Sequence, residues 1–221
     1  MGITNEELLS HVDHTLLKAY ATYDEIKVIC EDAIIYKTAS VCIPPNYIAR
    51  VHKDYPNLNI CTVIGFPLGY SVKEAKIVEA KKAVEDGANE VDMVINVTDV
   101  KNGKYDDVLN EIINIKNVVK EKDKNKILKV IIETCYLTDE EKIKMCEIVT
   151  KSGADYIKTS TGFSTGGATQ EDIILFKEHI ENKGIKAAGG ISSFEDAKKF
   201  IENGATRLGT SRLIKIMKES N

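Results

Sequence analysis

Eight short apolar runs alternate with longer amphipathic stretches, and this alternation constrains the fold more than any other feature. The runs occupy residues 12–15, 39–43, 60–64, 90–95, 128–132, 155–158, 186–188 and 207–209. Helical periodicity fills most of the intervals, as in residues 72–85, 106–121, 139–150, 171–182 and 193–203. Strands that alternate with helices predict βα units and a parallel sheet. Eight such units predict an α/β fold of one domain over residues 1–221, a (β/α)8 TIM barrel.

A weak internal repeat places particular side chains near the ends of three strands. Residues 85–92, 151–158 and 202–209 each contain a Gly-Ala pair that is followed by a strand. Each glycine suits the left-handed position that ends a helix. Asp92, Lys158 and Gly209 all fall five residues after their glycine, so we expect them at equivalent heights in the barrel. Alternation along a strand directs Asp92 and Lys158 inward.

Lys158 is the candidate nucleophile. An inward lysine at a barrel mouth is unusual because burying its charge is costly, and by placement alone it fits either a reactive amine or a structural ion pair. Lys186 begins the next strand run, and adjacent strands lie about 4.8 Å apart. Repulsion between two ammonium groups and burial both favour the neutral form of one amine. A neutral amine attacks a carbonyl group, so the pair predicts a lyase that works through a Schiff base.

Asp92 is the candidate partner in proton transfer. Formation and breakdown of a Schiff base require a proton donor and acceptor near the amine, and an inward carboxylate on another strand suits that task. Electrostatic neutralisation of the two lysines is a second role, which is compatible with the first. Glu133 ends the fifth strand and is interpreted mainly as a structural residue.

Glycine-rich turns follow the sixth, seventh and eighth strands and predict a phosphate site. Barrel enzymes frequently bind phosphate with the loops after strands seven and eight, where glycines let backbone N–H groups approach an anion. The alternative is that these glycines only make tight βα turns. Asp13 points toward the barrel mouth and contributes hydrogen bonding or charge balance. The predicted substrate-binding and phosphate-binding residues are Asp13, Thr161, Gly162, Gly189, Gly190, Gly209 and Ser211.

A metal site is not expected. In a strand, His11 and Asp13 face one way and His14 faces the other, so only two candidate ligands converge. A zinc site needs three or four protein ligands. Cys42 ends the second strand, where a small buried hydrophobic residue is the favoured interpretation over a reactive thiol.

Charge and cysteine usage exclude several classes of partner. The net charge of −4 gives no basic surface for nucleic acid or a membrane. Five cysteines without a CxxC pair favour a reducing compartment over a disulfide framework. Residues 1–7 lack the basic and apolar regions of a signal peptide, and no long apolar span is present. We therefore expect a cytoplasmic protein.

Taken together, these residues resemble the deoxyribose-phosphate aldolase family of class I aldolases. The resemblance runs from about residue 11 to residue 211. Eight segments in matching order carry it, at residues 13–17, 40–44, 63–69, 90–94, 129–134, 157–163, 186–191 and 207–211.

The resemblance implies specific roles and one reaction. Lys158 matches the Schiff-base lysine, Lys186 the second lysine that perturbs it, and Asp92 the aspartate of the proton relay. The implied reaction is reversible cleavage of 2-deoxy-D-ribose 5-phosphate into D-glyceraldehyde 3-phosphate and acetaldehyde, a step of deoxyribonucleoside breakdown. It needs neither a metal nor an organic cofactor. The implied partners are the sugar phosphate and the aldehyde, and a homodimer is an analogy from the family.

Two departures and two alternatives accompany the resemblance. Some members carry a C-terminal tyrosine that reaches the site, whereas the last four residues of this sequence, 218–221, are Lys-Glu-Ser-Asn. Some carry a lysine where this chain has Phe163, which shifts the predicted phosphate contacts to backbone N–H groups and hydroxyls. The alternatives are a Schiff-base aldolase for another phosphorylated sugar and a non-catalytic phosphate-binding barrel.

Overall fold

Eight parallel strands close into a barrel in the order of the sequence. The structure, a computed structural model, describes residues 3–219. Residues 220 and 221, which belong to the C-terminal segment compared with the family above, lie outside the described residues. The strands are β1 (Val12–Thr15), β2 (Ser40–Ile43), β3 (Ile60–Ile64), β4 (Glu90–Val94), β5 (Ile127–Ile131), β6 (Tyr156–Lys158), β7 (Gly184–Ala188) and β8 (Arg207–Thr210). Each strand pairs in parallel with the next, and β8 pairs with β1. The predicted (β/α)8 barrel is confirmed.

Ten helices of the described residues surround the barrel or connect its strands. They are α1 (Asn5–Leu9), α2 (Tyr23–Ile35), α3 (Ile48–Asp54), α4 (Lys73–Glu85), α5 (Val97–Lys101), α6 (Tyr105–Val119), α7 (Asp139–Ser152), α8 (Gln170–His179), α9 (Phe194–Asn203) and α10 (Arg212–Glu219). Local sequence explains their starts. At α7, for example, the Thr138 side chain accepts from the backbone of Glu141, whose carboxylate accepts from the backbone of Thr138, which satisfies two helix-end N–H groups.

The five predicted helices are present, and their ends differ from the predicted ones by at most three residues. The largest difference is at α8, which ends at His179 because Ile180 is extended, with φ −98° and ψ 139°. The helices α1, α3 and α5 have five to seven residues, too few to display a helical period. In α2, apolar side chains also face solvent at Val28 and Ile35, which blurs the apolar stripe.

Side chains that point into the barrel form three layers of four. Alternate strands contribute to each layer, and the shear of such a barrel shifts the register by about one residue per strand. The lower layer holds Ser40, Glu90, Tyr156 and Arg207. The middle layer holds Asp13, Cys61, Lys129 and Lys186. The upper layer holds Cys42, Asp92, Lys158 and Gly209.

These layers place the predicted site. Asp92, Lys158 and Gly209 share the upper layer, as the internal repeat predicts. Branched apolar residues usually fill such barrels, whereas charged side chains occupy much of this one. The apolar core lies instead between barrel and helices, where Val91, Met93 and Ile157 have no exposed surface.

The charged segment of residues 120–126 lies at the protein surface. Residues 120–126, a segment rich in lysine, follow the end of α6 at Val119 and are mostly exposed. Within residues 3–219, no helix has the length and apolarity that crossing a bilayer requires.

Candidate active site

Lys158 lies at the end of β6, at the boundary between the barrel interior and its mouth. Its Nζ is 2.7 Å from Oδ2 of Asp92, and its side chain is 4% exposed. Lys186 is its register partner on β7, and Nζ of Lys186 lies 2.7 Å from the same Oδ2. The structure therefore brings the three predicted catalytic residues into direct contact. Their predicted roles are not decided by this contact alone.

Lys129 is a third lysine at the site, and the sequence interpretation gave it no role. Its Nζ lies 2.8 Å from Oδ1 of Asp92 and 2.5 Å from Oε2 of Glu90, and it is fully buried. A signal for it was available, because a lysine inside the apolar run of β5 must find a buried carboxylate. Lys129 and Asp92 are register partners on neighbouring strands.

Asp13 lies one layer below Asp92 and has no exposed surface. Its Oδ2 is 2.5 Å from Nζ of Lys186, and its Oδ1 accepts hydrogen bonds from Ser40 Oγ at 2.7 Å and Arg207 Nη1 at 2.6 Å. These contacts match the charge-balance role that the sequence left open. Direct contact of Asp13 with a substrate stays a prediction.

Burial and ion pairing act in opposite directions on these groups. Burial opposes the charged form of Lys186, but the carboxylates of Asp13 and Asp92 outweigh it, so the pKa of Lys186 rises above its ordinary value. The pKa of Lys129 rises for the same reasons. Burial likewise opposes ionisation of Asp92, but Lys129, Lys158 and Lys186 hold its pKa well below the usual range. Lys129, Lys186 and Asp92 are therefore charged at neutral pH.

The buried network contains more cations than carboxylates. Among the described residues, its cationic side chains are Lys129, Lys158, Lys186 and Arg207, and its carboxylates are Asp13, Glu90 and Asp92. Three cations balance three carboxylates, which leaves one cationic group in excess. Low-dielectric surroundings disfavour an uncompensated charge.

A cavity of about 390 Å³ opens above Lys158 at the barrel mouth. Residues from β1, β6, β7 and β8 and from the loops that follow them line it. The predicted residues in this lining are Lys158, Thr161, Gly162, Gly189, Gly190, Gly209 and Ser211. Three of the glycines adopt left-handed backbone angles, with φ of 82° at Gly162, 79° at Gly189 and 78° at Gly190, which other residues rarely adopt. The three glycine turns therefore converge on one cavity with Lys158.

Glu133 fixes the loop after β6 by hydrogen bonds to Thr161. Its carboxylate accepts hydrogen bonds from Thr161 N at 3.1 Å and Thr161 Oγ1 at 2.5 Å. Glu133 itself is 2% exposed and has a left-handed φ of 53°. This arrangement matches the structural interpretation of Glu133, and it holds the Thr161 backbone at the edge of the cavity.

Of the two histidines of the N-terminal motif, only His14 lies within β1. It faces outward, with its Nε2 3.7 Å from Oδ2 of Asp32 on α2, whereas Asp13 points into the barrel. The predicted alternation of Asp13 and His14 is confirmed. His11 precedes the strand, and its Nδ1 is 3.0 Å from the carbonyl oxygen of Thr206.

Two thiols lie beside the lysines. Cys42 and Cys61 are register partners with no exposed surface, which agrees with the interpretation of Cys42 as a small buried residue. With Asp92 they bring three metal-ligating atoms within 4.8 Å of one another. Asp92 already accepts from three ammonium groups, and these cations disfavour a further cation at that place.

A (β/α)8 barrel with a lysine between a buried ion network and a glycine-lined mouth defines an enzyme of the barrel aldolase class. Residues 8–214 match the DeoC/LacD family aldolase, and the chain belongs to this family.

Individual relatives span nearly the whole chain. The deoxyribose-phosphate aldolase of Clostridium botulinum (strain Alaska E43 / Type E3) is 63% identical over 218 residues, which cover 98% of this chain and 97% of the relative. That of Clostridioides difficile (strain 630) is 56% identical over 218 residues, with 98% of each chain covered. The deoxyribose phosphate aldolase from Aeropyrum pernix, whose structure is described as tetrameric, has a TM-score of 0.90 at 30% identity. That comparison covers 98% of this chain and 92% of the other.

Proposed function

We propose that this protein is a class I aldolase that reversibly cleaves 2-deoxy-D-ribose 5-phosphate into D-glyceraldehyde 3-phosphate and acetaldehyde. Lys158 is the nucleophile. The observation that carries the proposal is its position as the one cation of the buried network that also lines the cavity. The activity named for the relatives from Clostridium botulinum and Clostridioides difficile supports the choice of substrate.

The contacts of the network support Lys158 as the nucleophile. Lys186 contacts both Asp13 and Asp92, and Lys129 contacts those two and Glu90. Lys158 contacts Asp92 alone among the carboxylates of residues 3–219. Lys158 is therefore the lysine of the network with the fewest compensating carboxylates, and with a neutral amine there the network holds three cations and three carboxylates.

The neutral amine forms the first bond. Nζ of Lys158 attacks C1 of the open-chain sugar, and the carbonyl oxygen becomes a hydroxyl. The nitrogen gains a positive charge in this step and gives a proton to Oδ2 of Asp92, which lies 2.7 Å away and passes it to the former carbonyl oxygen. A proton from solvent, delivered through Asp92, then lets the hydroxyl leave as water, which gives an iminium ion at C1.

The iminium ion is the electron sink for cleavage. Asp92 accepts the proton of the C3 hydroxyl, and C3 becomes the aldehyde carbon of D-glyceraldehyde 3-phosphate. The electron pair of the C2–C3 bond moves to the iminium ion, which becomes an enamine. Asp92 gives the proton to C2 of the enamine, and attack of water on the resulting iminium ion releases acetaldehyde, the Lys158 amine and one proton to solvent. No step requires a metal or an organic cofactor.

Lys186 and Asp92 assist the reaction of Lys158. Lys186 remains an ammonium group because Asp13 and Asp92 raise its pKa, and its charge favours the neutral form of the adjacent amine. Asp92 links the two amines through one oxygen atom and relays protons during dehydration and hydrolysis. The glycine turns at the cavity provide N–H groups for the substrate phosphate.

Borohydride trapping tests the proposal. The full-length protein is incubated with acetaldehyde and sodium borohydride, and its intact mass is measured. We expect one ethyl group per chain, located on Lys158 by peptide mapping, and none in Lys158→Arg. Cleavage of deoxyribose 5-phosphate is followed in parallel by the appearance of both products. Trapping at another lysine, or turnover that survives Lys158→Arg, would refute the assignment.

The setting of the reaction follows from residue chemistry. The described cysteines are all free thiols, which supports a reducing cytosol. We propose a homodimer as the assembly by analogy with the family, although the Aeropyrum pernix relative is described as tetrameric. Light scattering on the purified protein decides between these assemblies.

A further inference from the structure

We infer that Lys18 and Arg212 bind the phosphate group of the substrate and set the preference for phosphorylated over unphosphorylated sugar. The inference rests on the proposed function, because it assigns the substrate's charged end to two side chains of the same cavity. It also revises the expectation that backbone N–H groups and hydroxyls carry the phosphate site by themselves.

The charge of the cavity lining is the first observation. Sixteen residues line the cavity, and none of them is an aspartate or a glutamate. The whole chain carries 34 acidic residues and a net charge of −4, so an acid-free lining departs from its average surface. Three cationic side chains belong to this lining, Lys18, Lys158 and Arg212. Such segregation of one sign of charge in a cleft attracts an anion.

The three cations are not equivalent. Lys158 contacts Asp92 at the floor of the cavity. Lys18 and Arg212 form no ion pair with a carboxylate of residues 3–219, because no carboxylate oxygen there lies within 4.0 Å of their side-chain nitrogen atoms. The Nζ of Lys18 lies 5.6 Å from the ring centre of Tyr20, and it donates no hydrogen bond to any other described residue. These two side chains therefore have the capacity to bind an added anion.

Their positions suit a single phosphate group. Lys18 follows β1. Arg212 begins α10, which follows β8, and β8 pairs with β1 in the closed barrel. The glycine turn of Gly189 and Gly190 lines the same cavity from β7. A guanidinium group presents paired N–H donors that match phosphate oxygens, and an ammonium group adds a second charge.

Position 163 does not supply the charge. The ring of Phe163 packs edge to face on Phe66, with ring centres 5.2 Å apart. This pair forms an apolar wall of the mouth and offers no donor to a phosphate. Compensation of a dianion by side chains must therefore come from the cationic members of the lining, Lys18 and Arg212.

Substrate selectivity tests the inference. The specificity constant kcat/KM is measured for deoxyribose 5-phosphate and for 2-deoxyribose with the wild type, Lys18→Met and Arg212→Met. Methionine keeps much of each apolar stem and removes the charge. Loss of one charge-assisted contact predicts a decrease of about 10- to 100-fold for the phosphorylated sugar. For 2-deoxyribose we expect a change within about twofold.

Lys215→Met is the matched control, because Lys215 lies on the same helix α10, is exposed, and pairs only locally with Glu219 at 3.7 Å. We expect this variant to behave as the wild type with both sugars. Arg212→Lys, which keeps the charge without the planar fork, should recover part of the loss. Equal losses with both sugars, or no loss with either, would overturn the inference.

A binding measurement separates this inference from the proposed function. If the wild type cleaves neither sugar, the proposed function fails, and calorimetric titration with inorganic phosphate then decides the inference. We expect phosphate to bind the wild type and Lys215→Met with the same affinity and to bind Arg212→Met at least about 10-fold more weakly. Equal affinity for all three proteins would overturn it.

Discussion

Lys158 and Lys186 share one hydrogen-bond acceptor, since both Nζ atoms lie 2.7 Å from Oδ2 of Asp92. One carboxylate oxygen therefore couples the protonation of the two amines. Lys186 has a second carboxylate at 2.5 Å in Asp13, which Lys158 lacks among residues 3–219. Lys186 is therefore held between two carboxylates inside the barrel, whereas Lys158 lines the cavity at the mouth.

Lys186→Met should remove the activating cation without removing the nucleophile. The network would then hold three cationic side chains and three carboxylates, so the excess cation that favours a neutral amine disappears. We expect kcat/KM at neutral pH to fall by about 100-fold or more. Kinetics with deoxyribose 5-phosphate at neutral pH measure this. Lys199→Met, at an exposed residue paired with Glu195, is the control, and an unchanged kcat/KM in Lys186→Met would contradict the activating role of Lys186.

Asp92→Asn should destabilise the protein as well as inactivate it. The change removes the carboxylate that accepts from Lys129, Lys158 and Lys186, so buried positive charge loses its compensation. We expect the free energy of unfolding at neutral pH to fall by about 3–5 kcal/mol, as measured by urea denaturation. Asp24→Asn, in an exposed ion pair on α2, should change it little. A fully stable Asp92→Asn protein would argue against a charged network.

Acid should destabilise the fold through the buried carboxylates. Burial opposes ionisation of Asp13 and Asp92, but the surrounding lysines and Arg207 hold both pKa values below the ordinary range. A carboxylate with a depressed pKa stabilises the fold above its unfolded pKa of about 3.9, and that contribution is lost as the pH falls further. We expect the free energy of unfolding to drop steeply below about pH 4, and less steeply in Asp13→Asn. Urea denaturation at several pH values measures this, and the same dependence of the free energy of unfolding on pH in both proteins would contradict the prediction.

At alkaline pH, the free energy of unfolding should fall as the pH rises. The pKa values of Lys129 and Lys186 are raised because carboxylates outweigh the effect of burial. Their stabilisation is complete below the unfolded pKa of about 10.4 and is lost as the pH rises beyond it. Between these limits, the contribution of Asp13, Asp92, Lys129 and Lys186 to the free energy of unfolding should be independent of pH.

Gly209→Ala should disturb catalysis more than folding. A Cβ at this position would lie 3.0 Å from Cβ of Ala188 and 3.2 Å from Cε of Lys186. The neighbours must give way by a few tenths of an ångström, and the end of the Lys186 side chain is the more flexible of the two. We expect kcat to fall by about 10-fold with a small change in Tm. An unchanged kcat with a lowered Tm would assign the contact to packing alone.

Local sequence was sufficient for the barrel and for part of its site. The strands were predicted to within two residues because buried parallel strands are apolar on both faces and end at recognisable turns. The shared offset from a glycine, together with alternation, was enough to bring Asp92 and Lys158 to one layer. Both signals lie within about ten residues of chain, which is why they can be read without knowing the fold.

The remaining partners of the site were decided by closure of the barrel. Arg207 meets Asp13 across 194 residues of sequence because β8 pairs with β1, and Lys129 meets Glu90 and Asp92 because of the register of β5 on β4. Likewise, Lys18 and Arg212 reach one cavity only when the first and last strands become neighbours. The strength of an ion pair depends on separation and burial in three dimensions, and no local pattern in the sequence contains those quantities.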